Sequence, residues 1–227
     1  MSGLLTVLRL VRWECLRELR RGEIVVSMVL FALVSIFVLS FAIDPGSETG
    51  VRAQPGILWT VLLLAGTIGV ERSFGRSGEE RVLEGLLIAP VSRTAIYYAR
   101  VLSTWIFVAI MNLVVIVAFL VLYNVKTDAS TVLVILAAAW GTAIGFCAVG
   151  VTLAAMTRSI QGGEVLHRLL LLPLLIPVFK GVVSLTGQAL RGHEIGLREI
   201  AIIGAFDLVY VAAGQILFEQ VVADFDG

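Results

Sequence analysis

Residues 24–43 read "IVVSMVLFALVSIFVLSFAI", twenty positions without a single charge. A helix needs about 20 apolar residues to cross the hydrocarbon core of a bilayer. The runs 53–70, 101–125 and 129–157 are also free of charge, while 169–190 holds only Lys180 and 200–218 only Asp207. None of these runs shows the 3.6-residue alternation of apolar and polar faces that marks a helix of a water-soluble bundle. The sequence therefore predicts an all-α polytopic membrane protein. Residues 1–22 form an interfacial amphipathic helix, and residues 23–227 form a six-span membrane domain with spans at about 24–43, 53–70, 101–125, 130–156, 166–187 and 199–220. The first span starts too late and runs too long for a signal peptide.

Composition agrees. Of 227 residues, 59% are hydrophobic and 15% charged, against roughly 25% charged in soluble domains. The formal net charge is zero, so there is no global basic field for nucleic acid. Cys15 and Cys147 form no CxxC pair and neighbour no histidine, so neither a disulfide framework nor a metal motif is expected. HExxH, GxSxG and paired-aspartate motifs are absent, which argues against intramembrane hydrolysis or prenyl transfer.

Lysine and arginine set the expected orientation, since cytoplasmic segments carry the excess. With the N terminus inside, the inner segments hold twelve arginines and the outer ones four cations, Arg52, Lys126, Arg191 and Arg198. Both termini are then cytoplasmic, in a multi-pass membrane protein. In the N-terminal segment Leu4, Leu8, Val11, Cys15 and Leu19 recur at helical spacing, with Arg9, Arg17, Arg20 and Arg21 mostly on the other side. Such a helix lies at the membrane interface, its arginines near anionic headgroups.

The segment 71–92 breaks the pattern. "VERSFGRSGEERVLEGLLIAP" (70–90) concentrates charge between two spans. Gly75 and Gly78 interrupt the chain and Pro90 closes the segment. Between them Val82, Leu83, Leu86 and Leu87 form an apolar ridge, with Glu79, Glu80, Arg81 and Glu84 on the other positions. A plain turn needs no such ridge, whereas a short amphipathic helix at the cytoplasmic surface suits docking into a groove on another protein.

"QPGILWTVLLLAGTIGVERSF" (54–74), "LEGLLIAPVSRTAIYYARVLSTW" (83–105) and "RSIQGGEVLHRLLLLPLLIPVFK" (158–180) together resemble the heme exporter protein B family (CcmB). The shared features are a Pro-Gly-Ile-Leu-Trp span ending in Glu-Arg-x-Phe, a Leu-Glu helix, a basic residue opening the third span, and a Leu-Pro-Leu-x-Ile-Pro run. The family often has an Asp-Gly pair before the Leu-Glu, where this chain reads Glu80-Arg81-Val82. The resemblance implies an ABC exporter permease-like subunit in cytochrome c maturation. It would work with a CcmA-like cytoplasmic ATPase and with CcmC-like and CcmD-like membrane partners in the lipid bilayer, with a homodimer as a further assembly. Haem is the implied transported ligand, and no tightly bound cofactor is expected. Segment 71–92 becomes the coupling element, and Glu71, Arg72, Phe74, Val82, Leu83, Glu84, Leu86, Leu87 and Pro90 become the residues that engage the ATPase.

The chain has no GxxxxGK[ST] loop, and its only lysines are Lys126 and Lys180. ATP must be handled by another chain, and no enzyme activity is expected here. Other functional readings are a permease for a lipid, polymer or drug, and a non-transporting scaffold that relays ATPase motion to a haem-handling partner. His167 is expected at headgroup level and His193 in an outer loop. An imidazole can ligate haem iron, but neither residue belongs to a recognised motif. Gly141, Gly145 and Gly150 are expected to permit close helix packing. Lys180 and Asp207 both fall about two turns below the outer surface on neighbouring spans, and an intramembrane charge usually has a partner or a cavity. They are expected to form an ion pair or share a polar cavity. The alternative is a fifth span that breaks after Pro177, leaving Lys180 to snorkel.

Overall fold

The computed structural model describes residues 3–74, 92–157, 162–193 and 196–223. They form seven helices and, among the described residues, no strand: α1 (Gly3–Arg21), α2 (Glu23–Ala42), α3 (Glu48–Phe74), α4 (Arg93–Leu122), α5 (Ala129–Thr157), α6 (Gly163–Leu190) and α7 (Leu197–Ala223). Six of them, α2 to α7, are long and apolar enough to cross a membrane.

Local chemistry sets the breaks. Gly22 adopts a left-handed φ of 65° between α1 and α2, a conformation that costs glycine little. Ser92 caps α4 by accepting a hydrogen bond from the Ala95 N–H. Asp128 begins α5: its carbonyl accepts from Val132 N at 3.2 Å and its carboxylate accepts from the Ser130 and Thr131 hydroxyls. Those hydroxyls, Ser130 first, hold the Asp128 carboxyl below the usual carboxylate range. Several helices overshoot the expected spans. The third span was expected to open at Val101, but α4 starts at Arg93, so Arg100 lies two turns inside a helix. The fifth span does not break after Pro177: α6 runs through Pro173 and Pro177 to Leu190.

The helix α5 is central and touches α3, α4, α6 and α7. Between apolar helices in lipid the hydrophobic effect is weak, so close approach and van der Waals packing do the holding. A Cβ on Gly150 would stand 2.5 Å from Val70 Cγ1 of α3, and one on Gly145 would stand 2.5 Å from Asp207 Oδ1 of α7. The helices α5 and α7 run parallel, with Gly141 against Ile203, Gly145 against Asp207 and Thr152 against Gly214. The outward sides of α2 and α7 carry exposed Phe37, Phe41, Leu208 and Ile216, as lipid-facing surfaces do.

Candidate functional site

One end of the bundle gathers the last turns of α1, α3, α5 and α7 with the first turns of α2, α4 and α6. It carries Arg20, Arg21, Arg93 and Arg168 and is the arginine-rich end. The segment between α3 and α4 leaves and re-enters there, and each flank is fastened to a different helix. Upstream, Glu71 in the last turn of α3 accepts two hydrogen bonds from Arg168 of α6, Nε to Oε1 at 2.5 Å and Nη2 to Oε2 at 2.6 Å. A two-pronged guanidinium–carboxylate contact fixes direction as well as distance.

Downstream, the first turns of α4 grip the last turns of α7. The Thr94 hydroxyl donates to Glu219 Oε1 at 2.5 Å, the Tyr98 hydroxyl to Gln215 Oε1 at 2.7 Å, and the Tyr97 hydroxyl to the Val211 carbonyl at 3.4 Å. Residues 211, 215 and 219 lie four apart and share one face of α7, and residues 94, 97 and 98 share one face of α4. Tyr97 also packs its ring on Phe218 at 5.4 Å.

Two turns into α4, Arg100 pairs with Glu14 of α1 at 3.2 Å, with side chains only 4% and 8% exposed. One turn further along α1, Glu18 Oε1 accepts from Ile24 N at 2.6 Å and from Val25 N at 3.1 Å. That carboxylate satisfies two of the orphan donors at the start of α2, where the helix dipole favours negative charge. The helix α1 is thus bound to α4 by an ion pair and to α2 by a cap. The sequence reading placed an apolar stripe on α1 and overlooked the second face. The expected stripe divides: Leu4, Leu8 and Leu19 are exposed and Cys15 is half-buried, while Val11 of that stripe turns into the protein with Glu14 and Glu18. Their spacing of three and four residues was the available signal.

The coupling residues fall unevenly. Glu71 is placed as described. Arg72 and Phe74 lie in the last turn of α3, and Val82, Leu83, Glu84, Leu86, Leu87 and Pro90 lie outside the described residues. His167, near the start of α6, is 2% exposed, and among the described residues neither ring nitrogen has a hydrogen-bond partner. His193 is exposed.

The expected Lys180–Asp207 pair is absent. Asp207 Oδ1 accepts from Gly145 N of α5 at 2.9 Å, and Lys180 is exposed. The reason is register. Ser184 and Gln188 of α6 hydrogen-bond Glu199 of α7, and Gly181 meets Ile202. Extending that antiparallel alignment sets Lys180 level with Ile203 and Asp207 level with Ile176. Asp207 therefore lies about one turn, or ~6 Å, deeper. It faces α5, where the missing Cβ of Gly145 admits it.

A cavity of about 40 Å³ lies between α3, α4, α5 and α6, lined among others by Trp59, Asn112, Thr142, Phe146 and Phe179. The Thr142 hydroxyl is buried without a partner among the described residues. Such a volume holds a few water molecules, far below the ~300–1,000 Å³ of a typical ligand site. Among the described residues, no group of three or more His, Cys, Asp or Glu could hold a metal ion.

The family profile described as CcmB protein matches residues 5–221. Heme exporter protein B of Pseudomonas aeruginosa is 28% identical over 186 residues, covering 80% of this chain and 82% of that protein. Heme exporter protein B of Rhodobacter capsulatus is 29% identical over 165 residues, 73% of this chain and 75% of that protein. Heme exporter protein B of Bradyrhizobium diazoefficiens is 26% identical over 205 residues, 90% of this chain and 91% of that protein. With the profile running from the start of α1 into the last turn of α7, the chain belongs to the CcmB protein family.

Proposed function

We propose that this chain is the membrane subunit of an ABC-type complex in cytochrome c maturation. It couples ATP hydrolysis by a CcmA-like partner to export of haem, or to its release to a chaperone. Its membrane partners are CcmC-like and CcmD-like subunits, and both of its termini face the cytoplasm of a bacterial inner membrane. Family membership and the printed name of the relatives, heme exporter protein B, support the haem reading. The observation that carries the coupling role is the fastening of both flanks of segment 75–91. Glu71 is tied to α6, Thr94 and Tyr98 are tied to α7, and Arg100 is tied to α1. A force applied to that segment reaches three helices through contacts that do not depend on lipid.

A second reading has an observation in its favour. The cavity walled by α3, α4, α5 and α6 is about 40 Å³, which supports a relay that moves a haem-handling partner over a conduit at that place in one copy of this chain. Purification from native membrane with haem absorbance and mass spectrometry of the co-purifying chains tests the proposal. An ABC ATPase and haem should accompany the chain. An ATPase recovered with lipid or polymer but no haem would turn the assignment toward another exporter.

A further inference from the structure

At the opposite end of the bundle, a pocket of about 480 Å³ opens between the α2–α3 turn, the start of α3, the end of α4 and the end of α6. We propose that it binds the phosphate group of an anionic phospholipid. Two polar side chains in its wall, Gln54 and Tyr123, make no hydrogen bond among the described residues, and the Tyr123 hydroxyl is itself buried. Gln54 is 7% exposed and Tyr123 is 2% exposed. A buried hydroxyl is ordinarily satisfied, and leaving one unmet is costly, so the Tyr123 hydroxyl, with the Gln54 carboxamide in the same wall, points to a group that enters from outside.

Charge identifies that group. Lys126 and Arg191, 65 positions apart in sequence, both line the pocket, and Asp44 is the one acid among the lining residues. Asp44 Oδ1 already accepts from Gly46 N at 3.0 Å. Among the described residues neither Lys126 nor Arg191 forms an ion pair, whereas Arg52 at the same end is held by Glu48 at 2.5 Å. The chain has few cations at this end, and two of them converge on one pocket with hydrogen-bonding groups behind them. A guanidinium, an ammonium, a phenol hydroxyl and a carboxamide together suit a phosphate. The rest of the wall is largely aliphatic side chains and proline. Tyr123 directly follows the apolar run of α4, so the pocket lies at headgroup level, where acyl chains continue along the helices.

Native mass spectrometry of the full-length chain in detergent tests the site, with phosphatidylglycerol, phosphatidylcholine or inorganic phosphate added in separate arms. The chain should retain one phosphatidylglycerol far more firmly than phosphatidylcholine. Millimolar inorganic phosphate should not displace it. K126Q and R191Q should each weaken retention about fivefold and the double variant about thirtyfold, from about 1 kcal/mol per basic residue near a lipid surface. Q54L/Y123F, which removes the neutral hydrogen-bonding groups, should weaken retention of phosphatidylglycerol while leaving the melting temperature equal or higher. Equal retention of the two lipids, or phosphatidylglycerol retention unchanged in K126Q/R191Q, would overturn the proposal. Displacement by inorganic phosphate alone would overturn the lipid assignment in favour of a free anion.

Discussion

The Glu14–Arg100 pair decides whether α1 is part of the machine or only rests on the membrane. Both side chains are nearly inaccessible, at 4% and 8% exposure, and they meet at 3.2 Å across the α1–α4 contact. Glu14→Gln would leave the Arg100 guanidinium buried against a neutral amide. Breaking a buried pair from one side costs about 3–5 kcal/mol, because the surviving charge stays desolvated. For soluble domains of this length, 1 kcal/mol moves the melting temperature by roughly 2–4 °C, so a fall of about 6–20 °C is expected. Arg100→Met should cost a similar amount. Glu14→Leu with Arg100→Met removes both charges and should recover much of the loss. The assay is thermal unfolding in detergent and in nanodiscs, arranged as a double-mutant cycle. The Glu71–Arg168 pair is an internal comparison. Arg168 is 57% exposed, so solvent screening should hold the cost of Glu71→Gln to about 0–1 kcal/mol. If Glu14→Gln shifts melting by less than Glu71→Gln does, or if the double variant loses the sum of the two single losses, α1 is not held as described.

Other consequences are open to similar tests. Glu18→Ala removes the cap on α2 and should cost about 0.5–2 kcal/mol by thermal unfolding. Gly145→Ala forces a methyl to within 2.5 Å of Asp207 Oδ1 and 2.7 Å of Phe206, and should cost about 1–3 kcal/mol, whereas Lys180→Ala should leave stability unchanged. Asp128 has a depressed carboxyl, so its stabilising contribution is complete above the ordinary aspartate range. That contribution fades as pH falls through the folded value. The melting difference between wild type and Asp128→Ala should therefore be constant at neutral pH and shrink in strong acid. Glu71→Gln and Arg168→Met should fold normally yet lower ATPase activity of the reconstituted complex, because they loosen one flank of the coupling segment.

The six crossings were legible because four are long runs free of charge and two hold a single charge each, a one-dimensional signal that needs no knowledge of neighbours. Parts of the arginine-rich girdle were also visible, since Glu71 stood out at the edge of a charged segment. What escaped depended on register and on faces. Arg100 read as a basic residue before a span, and only the start of α4 at Arg93 places it inside a helix facing α1. Glu14 and Glu18 were hidden by a stronger neighbouring stripe of leucines on the same short helix. Asp207 was matched to Lys180 by counting depth along two separate spans. The actual offset is set by Glu199 reaching Ser184 and Gln188, contacts no pattern in either helix announces. Its real partner, the Gly145 amide, lies on a third helix 62 positions away.

The central claim is that segment 71–92 is the handle through which a partner ATPase moves this chain. Leu86 in that segment is the position to test, with Leu86→Asp expressed alongside the native partners. An unpaired charge placed in an apolar contact costs several kcal/mol, and in the sequence the site falls between the second and third expected spans. The ATPase recovered per mole of purified chain should fall to background while insertion and yield of the chain stay at wild-type levels. A full complement of ATPase bound to the Leu86→Asp chain would contradict the account.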